Sequence, residues 1–99
     1  MKKAIVLHEK DNVATLIDDV SKNTDVTLTG ERDETLKIAT DIPYGHKCAL
    51  HPIRKGEKIL KYGQVIGRAT SDIALGEHVH VHNVEALRAR GDQQEGDTR

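Results

Sequence analysis

"DIPYGHK" at 41–47, "PIRKGEK" at 52–58 and "DIALGEH" at 72–78 share one design: an isoleucine, two variable residues, a glycine, then two polar or charged residues. "DVSKNTD" at 19–25 is a looser copy, with Val20 in the isoleucine place and Asn23 in the glycine place. Glycine, and after it asparagine, is what a chain uses where φ must be positive, so each copy reads as a tight turn leading into a strand. The Ile or Val is then a plug that ties the turn to the core; the alternative is a set of generic turns without further meaning. Around these turns lie short β-type runs: "VTLTG" (26–30), "TLKIAT" (35–40), "KCALH" (47–51), "KILKYG" (58–63), "QVIGRAT" (64–70) and "HVHVHNV" (78–84). Runs of this length, broken by Gly, Pro, Asp and Asn, predict a mainly β fold.

Before the first turn the pattern differs. Ala4 to His8 reads as a strand, but in "DNVATLIDDV" (11–20) the residues Val13, Leu16, Ile17 and Val20 fall at helical spacing, with Asp11 or Asn12 available as N-cap. One short helix is therefore expected near the N-terminus. The 99 residues suit a single domain, expected over 1–90, and "RGDQQEGDTR" at 90–99 carries no apolar residue, so 91–99 is expected to be a flexible tail. Arg88, Arg90 and Asp92 stand there as either interface contacts or solvated charges.

Composition bounds the function. With 36% hydrophobic residues, no Trp, no Phe and two Tyr, the core must be aliphatic and modest, which makes self-association or a larger partner subunit plausible. Tyr62 is expected to be one of the few aromatic core pieces. A formal charge of −1, with lysines and arginines spread among acids, argues against a nucleic-acid partner. The only N-terminal apolar run, Ala4 to Leu7, is too short for a signal peptide or membrane span, and the single Cys48 suits a reducing compartment, so a cytoplasmic protein is expected. Cys48, within an apparent strand, reads as a small structural side chain.

Three of the six histidines alternate with valines in "HVHVH" (78–82). On a strand, His78, His80 and His82 share one face while Val79 and Val81 turn to the core. Ligands two apart along a strand are about 7 Å apart and four apart about 13 Å. Two neighbours can therefore reach one ion, either His80 with His82 or His78 with His80, and the rest must come from elsewhere. A solvated strand face is the competing reading. No HExxH, CxxC or triad spacing is present.

"GHKCAL" (45–50), a DIxxG turn, "KYGQVIGRAT" (61–70) and "GEHVHVHN" (76–83), in this order, resemble the small SAF domain of the altronate and galactarate dehydratase family over about residues 4–92. The resemblance implies a β-clip fold. It also implies a sugar-acid hydro-lyase in which this region contributes to an active site shared with a large catalytic subunit, with a divalent metal, Fe2+ first. The small subunit of (2R)-sulfolactate sulfo-lyase, which eliminates sulfite from a hydroxy acid, is similar. Carried over residue by residue, the resemblance assigns catalytic roles to His46, Lys47, His80 and His82, substrate contacts to Lys61 and Asn83, and a metal to His80 and His82. Lys47 and Lys61 can equally be solvated strand lysines. A homo-oligomer, and a non-catalytic SAF module binding sugar or protein, remain as alternatives. A chain without the large domain is not expected to be active alone.

Overall fold

The computed structural model describes residues 2–86; the expected tail, with Arg88, Arg90 and Asp92, lies outside the described residues. Nine short strands make the architecture: β1 (Lys3–Val6), β2 (Val13–Leu16), β3 (Asp25–Gly30), β4 (Thr35–Lys37), β5 (Lys47–Ala49), β6 (Lys58–Lys61), β7 (Gln64–Ala69), β8 (His78–Val79) and β9 (Val84–Ala86). They form a six-stranded sheet, β4-β3-β1-β2-β5-β8, and a three-stranded sheet, β6-β7-β9. The fold is mainly β, as expected, and consistent with a β-clip.

The repeated turns are built as their sequence indicates. A hydrogen bond closes each across four residues: Thr24 N–H to Ser21 O, His46 N–H to Pro43 O, Glu57 N–H to Arg54 O and Glu77 N–H to Ala74 O. The third residue of each, Asn23, Gly45, Gly56 or Gly76, has positive φ, which is the signature of a type II turn. The plugs Val20, Ile42, Ile53 and Ile73 are all buried, and they meet in pairs, Val20 with Ile42 and Ile53 with Ile73, through isolated antiparallel bridges. Acidic residues beside the plugs lock the first pair reciprocally: Lys22 N–H donates to Asp41 Oδ1 and Tyr44 N–H to Asp19 Oδ1, both at 2.7 Å. In the second pair Asp72 receives Lys55 N–H at 2.8 Å, while Pro52 occupies the other acidic place.

The expected N-terminal helix is not there; among the described residues no helix occurs. "VATL" is β2, pairing with β1 on one side and β5 on the other; Val13, Ala14 and Leu16 are buried while Ile17 is 38% exposed. The spacing 13, 16, 20 fits a helix face, but Val20 is the plug of the first turn, and sheet partners from both sides override the local pattern. Asp11 and Asn12 are not caps. Both are buried: Asn12 Oδ1 accepts from Leu60 N–H and its Nδ2 donates to Lys58 O, each at 2.8 Å, while the Asp11 carboxylate accepts from Tyr62 N–H at 3.0 Å and Gly63 N–H at 2.8 Å. Together they hang the β6–β7 hairpin from the start of β2.

That hairpin explains Tyr62. The two residues between the strands, Tyr62 and Gly63, both have positive φ, as a type I′ turn demands. A Cβ on Gly63 would lie 2.9 Å from the His8 ring, so the position also needs the absence of a side chain. At the tip of a two-residue loop Tyr62 points away from the core and is 64% exposed, which corrects the expectation that it fills the interior. The two core clusters are aliphatic apart from Cys48. One cluster lies around Leu16, Leu28, Ile38 and Cys48, the other around Val13, Ile53, Ile59 and Val79. Cys48 belongs to the first, fully buried, with burial pushing its thiol up to about 12, so it is a packing residue as expected.

Candidate functional site

The site is assembled where β5 meets β8. Their antiparallel register pairs Lys47 with Val79 and Cys48 with His78. Continued by one residue, it puts His46 opposite His80, and their rings stack with centroids 3.9 Å apart at 21°. The DIxxG turn that closes at His46 and the one that closes at Glu77, just before His78, thus deliver imidazoles to one place from positions 32 residues apart. His46 Nδ1 and His78 Nε2 are 2.8 Å apart, a hydrogen bond with one nitrogen donating.

After His78 the chain departs from its expected course. Strand β8 ends at Val79, and residues 80–83 turn instead of running on as an extended "HVHVH" face. Asn83 makes the turn. It is buried, its Oδ1 accepts from His80 N–H at 3.0 Å, its Nδ2 donates to His78 O at 2.8 Å, and its backbone N–H donates to His80 O at 3.1 Å. The Asn83 carboxamide, expected as a substrate contact, is here engaged in the loop that presents the histidines. The turn also swings Val81 outward, 81% exposed where a core residue was expected, and brings His82 back so that its ring lies 5.0 Å from that of His78. Of the expected residues, His46 and His80 are therefore in contact, and His82 touches the group through His78 while remaining exposed. His78 is the member that sequence spacing underweighted. Only the β5–β8 register selects it.

Lys47 and Lys61 flank the group, both half-buried. Burial, and next the charge of Lys61, hold the Lys47 ammonium below its ordinary range, so the two lysines share one neighbourhood. Lys61 arrives there because Asn12 anchors β6. Lys47 and His80 also line a cleft of about 180 Å³ with Ile66, Val81, Val84 and Ala86.

His78 is pushed down to about 4, by burial first and then by His82, His46, His80 and Lys47, and His80 is lowered for the same kinds of reason. Both shifts favour the neutral, lone-pair-bearing forms of His78 and His80. A pH dependence follows. Unfolded, His78 takes up a proton near pH 6.5; folded, only near 4. Its contribution to stability is complete above about pH 6.5 and is lost as pH falls from there toward 4. After allowance for solvent screening the loss is about 1 kcal/mol. Urea midpoints measured across this window should fall with pH, and the slope should flatten in His78→Gln; an unchanged slope in that variant would place the effect elsewhere.

Nitrogen atoms of His46, His78 and His80 all lie within 4.8 Å of one another, and imidazole suits divalent transition ions, so these residues fit the kind of metal the sequence resemblance implies.

Comparison with known proteins identifies the family of the chain. Residues 2–87 match the family model described as the altronate/galactarate dehydratase SAF domain. The altronate dehydratase of Bacillus subtilis (strain 168) is 40% identical over 85 residues, covering 86% of this chain and 16% of that protein. The altronate dehydratase of Escherichia coli (strain K12) is 40% identical over 89 residues, 90% of this chain and 17% of the relative. The (2R)-sulfolactate sulfo-lyase subunit alpha of Chromohalobacter salexigens is 36% identical over 88 residues, 84% of this chain and 94% of that subunit. The chain thus spans about a sixth of the dehydratases and nearly all of the sulfo-lyase subunit.

Proposed function

The chain belongs to the altronate/galactarate dehydratase SAF-domain family, and from that premise we propose that it is the small component of a hydro-lyase acting on a sugar acid. Its histidine face and lysine pair would complete an active site with a larger catalytic chain. The observation that carries this is the convergence of His46, His78 and His80 beside Lys47 and Lys61, on a domain that makes up a sixth of two altronate dehydratases.

The chemistry asked of such a site is a β-elimination next to a carboxylate. A base takes the α-proton; the C–H electron pair forms the enol double bond; the β-hydroxyl leaves with a proton as water; and the enol ketonises to a 2-keto-3-deoxy acid. Lys47 and Lys61 supply positive charge where the substrate carboxylate, and then the enolate-like oxygens, concentrate negative charge. An imidazole whose lone pair no metal holds can carry a proton, and His82 stands outside the three-histidine group at its exposed edge. A divalent metal, Fe2+ first, has its donors among these imidazoles, and when bound it polarises a substrate oxygen. His82, exposed at the rim, faces the region a partner would cover.

A second reading, the small subunit of a sulfo-lyase eliminating sulfite from a hydroxy acid, is favoured by the extent of the match, since nearly the whole of such a subunit is covered. Co-expression with a chain carrying the remainder of a dehydratase-like enzyme, followed by assays on altronate, galactarate and sulfolactate with and without Fe2+, separates the two. Water release from a sugar acid supports the first and sulfite release the second. No elimination by an intact complex would remove both.

A further inference from the structure

We propose that His46, His78 and His80 are by themselves a three-imidazole site for a borderline divalent transition ion, held by this chain without its partner, and that His82 is not a ligand. The site's use in an elimination rests on the lyase reading above; metal binding does not.

Three observations carry the ligand set. The nitrogens of these three residues, and no other His, Cys, Asp or Glu group among the described residues, come within 4.8 Å of one another. The two nearest, His46 Nδ1 and His78 Nε2, stand at 2.8 Å. An ion held about 2.1 Å from each nitrogen, at an angle of roughly 90° to 110°, needs them about 3.0 to 3.4 Å apart, so their separation changes by only a few tenths of an ångström while the rings turn to aim both lone pairs at the ion. The third observation is the support behind the rings. His46 and His78 each follow the glycine of a type II turn locked by buried plugs, and His80 is held through its N–H by the buried Asn83. Rings delivered from braced backbone lose little freedom on binding.

The hydrogen between His46 and His78 is no obstacle. In neutral imidazole it can sit on either nitrogen, so transfer to the far nitrogen of the donor ring frees both lone pairs without a change of charge. Three such donors leave at least one position open on a four- or six-coordinate ion, the condition for an ion that also meets substrate. A set of imidazoles without a carboxylate disfavours Mg2+ and Ca2+, which take oxygen ligands, and favours Fe2+, Co2+, Ni2+ and Zn2+.

The test is titration of the untagged 99-residue chain with Co2+, read by visible d–d absorption and by calorimetry. One Co2+ per chain is expected, displaced by Zn2+ and unaffected by excess Mg2+. His46→Ala, His78→Ala and His80→Ala should each weaken binding on the order of 100-fold or more, and His82→Ala by less than about 3-fold. Circular dichroism confirms the fold of each variant, and His78→Gln, which keeps volume and hydrogen bonding, guards against a misfolded alanine variant. Absence of Co2+ binding by the folded chain, or loss in His82→Ala with retention in His78→Ala, overturns the proposal. Co2+ binding with no elimination in the complex keeps the site and removes the lyase reading; elimination by a complex whose small chain binds no metal does the reverse.

Discussion

His80→Ala in the reconstituted enzyme is expected to lower turnover on the order of 100-fold or more, since it removes one of the three imidazoles proposed to hold the metal. His80 stacks on His46 and lines the cleft that also holds Lys47, so its ring belongs both to the imidazole group and to the path a carboxylate substrate would take. The loss should fall on kcat, since the metal that His80 would help to hold acts on the transition state, whereas Lys61→Ala should raise KM through weaker carboxylate binding. Size-exclusion chromatography must show the complex intact. Full turnover of an intact His80→Ala complex would place the chemistry wholly in the large chain.

Asn83→Ala is expected to be the most damaging single change to stability near the site, about 2 to 4 kcal/mol. Two hydrogen bonds vanish, leaving His80 N–H and His78 O facing a small cavity in a place where Asn83 is 2% exposed. Thr70 N–H, which donates to Asn83 O at 2.9 Å, ties the same turn to the end of β7, so loosening spreads to the second sheet. Asn83→Asp keeps the acceptor for His80 N–H but sets a carboxylate against His78 O, and it should also destabilise. Urea unfolding with an unchanged m-value measures both. A substrate contact would instead raise KM and leave the midpoint where it was, and that pattern would support the substrate role the resemblance implies.

The four turns were legible because their information is local. A type II turn needs positive φ at one position and a plug beside it, and "DIPYGHK", "PIRKGEK", "DIALGEH" and the looser "DVSKNTD" state both within a few residues. The mainly β character followed from the same short runs. "VATL" was not legible, because spacing over ten residues cannot reveal that Val13 faces one core cluster and Ala14 and Leu16 the other, and a strand buried on both faces does not need to alternate. Tyr62 misled for a related reason: an aromatic residue in an aliphatic chain favours the core by composition, but a two-residue hairpin loop leaves it no route inward.

For the site, residue types were settled by the chain and partnerships were not. The chain alone determined that imidazoles and lysines would cluster near "GHK", "KYG" and "HVHVHN", since those side chains carry the chemistry wherever they end up. Which imidazoles touch depends on the β5–β8 register and on a turn closed by one buried carboxamide. Both are long-range choices, made by burying Val79 and Cys48 on opposite sides of a shared edge, and no window of sequence contains the two strands at once.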